Sequence, residues 1–334
     1  MAWRGLLAIG TALELACGGL AAAAPAGVPA WEVTAPSGAT SIVLGGLQRP
    51  AAGLLMPAPA VVQGKSRLVL MLDTSAEAEP FEPGPAFVDP AAMAETGRTG
   101  GLGRAPWASK LTDAQIDQMR TNARCFMRQA AEEEGEPVDP ALDASDAEYW
   151  LRIAVGGRDP YFALALAAAH CMPPGTRSRE SVLREAAAAA DVPVVAVDST
   201  TQLYARYWST PVALLQTLLY QNALTPLARQ DLQRLVDALN AGDLDALAQA
   251  SKPSGLSASE QKRFDRLMVF DAVDAILPKL EVHLGQGNAL VVFDAGKLSG
   301  EFGLLPKLTQ AGYTVKPIAL PADGAPVPPA ARWA

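Results

Sequence analysis

The chain has 334 residues, 50% of them apolar and 19% charged. That supports a sizeable core and excludes a globally disordered chain. The formal net charge is −8, and no basic stripe runs anywhere along the sequence, which argues against nucleic acid as a partner.

Residues 1–24 read as a cleaved signal peptide. Arg4 gives a positive start, 5–13 is a short apolar run, and 21–24 offers small residues for cleavage. Glu14 interrupts the apolar stretch, and no run of about 20 apolar residues follows, so no transmembrane segment is expected after signal removal. Lipid attachment at Cys17 is the lesser alternative, because Glu14 stands where an apolar residue is wanted. The expected destination is the periplasm or the exterior. Cys125 and Cys171 then remain. In an oxidising compartment they can bridge; the alternative is two separate buried thiols.

Two strands over 31–33 and 39–46 surround Pro36-Ser37-Gly38 and form an opening hairpin. The second runs into Gly45-Gly46-Leu47-Gln48. A third apolar strand spans 67–73 and ends on Met71, Leu72 and Asp73. Residues 74–109 are rich in Pro, Gly, Ala and Glu without a period, and read as an exposed insertion or flap. Helices then dominate. One starts at Thr112-Asp113 and runs to about residue 134; another starts at Asp159-Pro160 and stops before Pro173. An Ala-rich helix over 178–190 leads into a strand over 192–197 that ends in Asp198. Further helices cover 200–207 and 211–224, and two more share 225–250 with a break near Asn240-Ala241-Gly242. Ser257 and Glu260 form a capping box that opens a long last helix through Asp271 to Leu280.

Residues 288–318 organise the chain. A buried strand over 289–293 is followed by the turn Asp294-Ala295-Gly296-Lys297, where Gly296 is expected to supply a conformation other residues resist. A helix through Leu298, Leu304, Leu305 and Leu308 is closed by Gly312, and a last strand covers 313–318. Such units build mixed or parallel sheets, which present chemistry at the C-terminal ends of their strands. Residues 321–334 form a Pro/Ala-rich tail.

This segment resembles the C-terminal signature of the TraB/GumN family, the group that includes the Tiki-like metalloproteases. Gly296, Leu298, Gly300, Gly303, Leu304, Leu308, Gly312, Tyr313 and Val315 fit it. The resemblance implies one mixed α/β domain over 25–320, with a largely parallel sheet wrapped by helices. For typical members it also implies metal-dependent hydrolysis, with two histidines and a glutamate around a divalent ion that activates water. This chain departs at each of those places. Lys297 replaces the histidine of the C-terminal motif, with Asp294 in place of its first glycine. Gly45 matches the earlier Gly-x-x-His glycine, but Gln48 stands for its histidine. Met71 takes the glutamate position, leaving Asp73 as the nearest carboxylate, and Phe270-Asp271 replaces an Arg-Asn pair.

The replacements are poor ligands. Methionine suits hard ions badly, glutamine offers one carbonyl, and an ammonium has no lone pair. An ammonium about 4 Å from a divalent ion repels it by roughly 8 kcal/mol at an effective dielectric near 20. His170 and His283 both suit helix C-termini and lie outside the Gly-x-x-His places. The reading is therefore an exported, non-catalytic member without a cofactor, which binds a protein or polymer through the former active-site cleft. The alternative is a hydrolase with a divalent ion in a rebuilt site of Asp73, Asp198, Asp271 and Asp294, or with Lys297 as a base. Lys297 itself either fills the vacated position, paired with Asp294, Asp73 or Asp198, or is merely exposed.

Overall fold

The computed structural model describes residues 27–47, 49–72, 103–134, 140–157, 160–173 and 175–323. The expected signal peptide, Cys17, Gln48, Asp73, residues 74–102 of the expected insertion and most of the tail lie outside them.

Six strands form one mixed sheet: β1 (Val28–Thr34), β2 (Thr40–Gly46), β3 (Arg67–Leu70), β4 (Val194–Ala196), β5 (Ala289–Asp294) and β6 (Thr314–Leu320). Their order is β4-β3-β5-β2-β1-β6. The first four run parallel, and β1 is antiparallel to both β2 and β6. The opening hairpin closes through Gly38, at φ +87°, where a side chain would be strained. β5 is the central parallel strand, and its continuous apolar run is what burial on two faces demands. Its alternate residues serve two cores. Ala289, Val291 and Phe293 join Trp31, Val43 and Val69 on one face, and Leu290 and Val292 join Leu44 and Leu68 on the other. The last strand does not lie beside β5, as a simple strand–helix–strand unit would have it: β2 and β1 stand between.

The helices, in chain order, are α1 (Asp113–Glu134), α2 (Pro140–Gly156), α3 (Tyr161–Ala168), α4 (Arg179–Ala189), α5 (Thr200–Ser209), α6 (Val212–Leu218), α7 (Pro226–Ala241), α8 (Leu244–Ala250), α9 (Ala258–Phe264), α10 (Asp271–Gln286) and α11 (Leu304–Gln310). α4 covers the Leu44 face through Leu183 and Ala187. α7, α8, α10 and α11 cover the other, through residues such as Leu239, Leu247, Ile276 and Leu308. A third core is helical, built by Met119, Leu151, Ala163 and Leu219. None of the described helices is long and apolar enough to cross a membrane.

Several expectations need correction. α2 is a full helix that the sequence reading missed. The helix expected from Leu298 is confined to 304–310, because Gly300 (φ +78°) and the turn at 298–303 delay its start. The long last helix is broken by a π-helical stretch at Asp265–Phe270. The expected insertion ends early. Pro106–Lys110 is a 3-10 turn with Trp107 buried in the helical core; its Nε1 donates to Gly157 O at 2.8 Å. The start of the tail is tied down too: Ala58 N donates to Pro321 O and Asp323 N to Met56 O. Cys125 on α1 is bonded to Cys171 beyond α3, with Cα atoms 5.1 Å apart, well within bridging range.

Candidate functional site

The parallel strands all deliver their C-terminal ends to one edge of the sheet. Gly46 at the end of β2 is the register partner of Asp294 at the end of β5. Met71 leaves β3 between them and Asp198: its carbonyl accepts from Asp198 N at 2.9 Å, and its Sδ accepts from Asp294 N at 3.2 Å. Topology thus brings Gly45, Met71, Asp198, Asp294 and Lys297 to one edge of the sheet.

Asp294 caps the short 3-10 turn Ala295–Lys297. Its Oδ1 accepts from Gly296 N at 2.9 Å, and its Oδ2 accepts from the Lys297 ammonium. Gly296 is not left-handed, contrary to expectation; it follows the turn in an ordinary conformation. Lys297 is largely buried, its side chain 17% exposed, so it is not a surface lysine. Burial alone would lower its pKa, but the Asp294 charge and hydrogen bond, with Tyr207 nearby, outweigh burial and the opposing Arg206 and raise it. An ammonium held this firmly is a poor general base, which counts against the rebuilt-enzyme reading of Lys297.

A second ion pair stands beside the first. Asp198, its side chain 1% exposed, accepts both guanidinium nitrogens of Arg206 on α5. Ser199 N caps the same carboxylate at 3.0 Å. Tyr207, next to Arg206, has its ring 4.6 Å from that of Tyr161 on α3. Arg49, just beyond β2, donates from Nη1 to Ala168 O at 2.8 Å. His170, two residues further on, is pushed down to about 4 by burial first and then by Arg49 and Arg229. It is a neutral imidazole in a positive field.

Two residues at the head of α4 support this edge from below. Arg179, 1% exposed, donates from Nη1 to Gly45 O at 2.5 Å and from Nε to Leu55 O at 3.0 Å. Burial brings its pKa down to about 10, with Glu180 opposing. The Glu180 carboxylate lies so close to Gly46 that a Cβ there would come within 2.0 Å of Oε1. Gly45 is equally enclosed: a Cβ would meet Leu239 at 2.5 Å.

The other sequence candidates sit elsewhere. Asp271 pairs with Arg266 at 2.9 Å on the surface. The cationic ends of Arg266 and Lys307 each lie 4.1 Å from the Phe270 ring centre, with Phe302 edge-on. His283 faces Arg67 at the start of β3, the opposite end of the strands. Gly300 and Gly303 shape the turn before α11 rather than the strand ends. Sequence reading missed Arg49, Glu180, Arg206 and Tyr207. None of them carried a spacing signal in the sequence.

Among the described residues, the donors at this edge do not fit a divalent ion. Among the described residues, no group of three or more His, Cys, Asp or Glu could hold a metal ion. Asp198, Asp271 and Asp294 each face a cation of their own, which removes the carboxylate cluster imagined for a rebuilt site. An ammonium and a thioether stand between the strand ends where ligating oxygens or nitrogens are needed.

No curated protein and no solved structure matches the chain. The model of the TraB/PrgY/gumN family matches residues 103–317, a stretch from Gly103 to the middle of β6 that includes both ion pairs. With that match over most of its length, and with the glycine-rich turn after β5 in place, the chain belongs to the TraB/PrgY/gumN family.

Proposed function

We propose that this protein is an exported, non-catalytic member of its family that binds a protein or polymer through the former active-site cleft. The observation that carries the reading is the Lys297–Asp294 ion pair at the end of β5. It puts a fixed positive charge where the family resemblance calls for a metal-binding histidine. The Asp198–Arg206 pair stands in the same way just past the end of β4, two strands along, so neither carboxylate is left to a cation from solution. Export is supported by the leader-like residues 1–24 and by the Cys125–Cys171 bridge, which suits an oxidising compartment.

The test is metal content of the purified protein together with peptide hydrolysis in added Mn, Co or Zn. The expected result is no stoichiometric metal and no turnover above a blank. Stoichiometric metal, with turnover that Lys297→Ala abolishes, would end the non-catalytic reading.

A further inference from the structure

The two outer strands finish the sheet differently. β6 is blunted: Lys316 stands on it exposed, and Pro317 has no N–H to offer. β4 carries neither residue. Among the described residues it pairs only with β3, Leu68, Val69 and Leu70 standing opposite Val194, Val195 and Ala196. Leu68 N donates to Pro193 O at 2.9 Å, and Val197 N to Leu70 O at 3.1 Å. In a parallel ladder this register turns the backbone groups of Val195 toward β3 and those of Val194 and Ala196 away from it. Among the described residues nothing pairs with these four outward N–H and C=O groups. Both sheet cores also stop short here. Leu68, Val69 and Leu70 are fully buried, whereas Val194 and Val195 are half-buried at the core rims and Ala196 is exposed. Asp191, at the entry to β4, is exposed and faces no cation among the described residues. At its other end β4 runs into Asp198, which holds Arg206, so the free edge leads to the strand ends.

We propose that the free edge of β4 binds an extended peptide segment of a partner protein as a seventh strand, with a basic residue of that segment against Asp191. Alternating N–H and C=O groups at strand spacing are matched by another extended backbone, which supplies both at the same repeat. The added side chains would cover the half-buried rims at Val194 and Val195. The net charge of −8 favours the same basic partner. The shortness of β4 limits the ladder, so the side chains and the Asp191 contact supply the selectivity. This inference rests on the binding role proposed above and names its partner as a peptide chain.

The experiment titrates the purified protein with a labelled, end-blocked heptapeptide, Lys-Val-Thr-Val-Thr-Val-Lys, and reads binding by fluorescence anisotropy and amide exchange by NMR. Saturable binding is expected. The Val194 and Ala196 amides should exchange fast in the free protein and slow by about tenfold or more with peptide, while Val195 and Val197, already facing β3, change little. Ala196→Pro removes one outward N–H and leaves the bonds to β3 alone. It should keep the unliganded Tm and weaken binding about tenfold. Asp191→Asn should weaken the lysine-ended peptide but not a glutamate-ended one. The fully N-methylated peptide keeps its side chains, loses the ladder and should not bind. Val194 and Ala196 amides already protected in the free protein would show the edge closed by the chain itself or by a second copy, and would overturn the proposal. So would the absence of saturable binding, or binding that Ala196→Pro and N-methylation leave unchanged. Metal content and turnover of the same samples separate the two readings. Failed strand addition without metal or turnover leaves the non-catalytic reading standing; strand addition with both ends that reading alone.

Discussion

The Lys297 ammonium is bound by the Asp294 carboxylate three residues earlier, across the tight turn that ends β5. Both side chains are mostly buried, at 17% and 24% exposure, so each is the other's main replacement for water. Lys297→Met would leave Asp294 largely buried with only the Gly296 amide. The expected cost is about 2 kcal/mol at neutral pH, below that of a fully buried pair because some solvent remains. Urea unfolding measures it. The pH dependence has a defined sign. The folded protein holds this proton more tightly than the unfolded chain, whose lysine has the ordinary value of 10.5. The stabilisation is complete below that pH and is lost as pH rises through the higher folded value. The gap between wild type and Lys297→Met should therefore close only in strong alkali; a gap that closes near pH 8 would contradict the pairing.

His170 makes the opposite prediction at the acid end. Its folded pKa is pushed down from 6.5 to about 4 by burial, then by Arg49 and Arg229. The unfolded chain takes up the proton first. Stability is full above pH 6.5, falls as pH drops toward about 4, and levels off below. The loss is on the order of 3 kcal/mol. His170→Gln should flatten that part of the profile, and Arg49→Gln should raise the imidazole pKa, read by NMR. An unshifted histidine would show that the two side chains are not neighbours.

Arg179 is the support beneath the strand ends. Its guanidinium satisfies Gly45 O and Leu55 O from within the core. Arg179→Met keeps the bulk but orphans both carbonyls, at a cost of roughly 3–5 kcal/mol. Arg179→Lys keeps the charge, yet one ammonium cannot reproduce the fork, so most of the loss should persist in denaturant melts.

Much of this arrangement was legible in the sequence because it rests on short-range rules. The apolar run of β5, the Ser257/Glu260 capping box and the break at Gly242 (φ +67°) all appear as read. The glycine spacing after β5 identified the family, and the place of Lys297 followed from it. What failed was long-range or weakly patterned. α2 has no clean apolar stripe, so periodicity could not find it. Trp107 looked like part of a Pro- and Gly-rich insertion, and only the helical core it fills gives it structure. The partner of Asp198 is Arg206, eight residues on and across a strand–helix corner, a pairing no spacing rule specifies. Phe270-Asp271 was placed at the site by resemblance alone; Phe270 ends the π-helical stretch, and both residues have other partners.

The Cys125–Cys171 bond spans 46 residues and ties α1 to the segment that carries His170. Closing a loop of that length stabilises by up to about 4 kcal/mol through the unfolded chain. Cys125→Ser, or reduction before urea unfolding, should lower stability by about 2–4 kcal/mol. Cys125→Ser alone should show the same loss as the double serine variant, because either change breaks one bond. A larger loss in the double variant would mean the sulfurs contribute separately.

Of the four glycines shared with the family signature, Gly296, Gly300 and Gly303 should rank by what encloses them. At Gly303 a Cβ would lie 2.3 Å from Ser299 O and 2.7 Å from Ser299 N. Those are backbone atoms of the same turn and cannot move without opening it. Gly303→Ala should cost about 3 kcal/mol or more, the upper range for overpacking. Gly300 has open room, its nearest atom the Ala248 Cβ at 3.6 Å, but its φ of +78° is left-handed. Gly300→Ala should cost about 1–2 kcal/mol from backbone strain alone. Gly296 has neither constraint: its φ is ordinary, and a Cβ would make only a 3.4 Å contact with Asp294 Oδ1. Gly296→Ala should change stability by less than about 1 kcal/mol. It should leave the Lys297–Asp294 pair intact, since the amide that Asp294 accepts from is retained. Melting curves of the three variants give the order directly. If Gly296→Ala were the most damaging, enclosure and backbone φ would not be what sets the cost at these glycines.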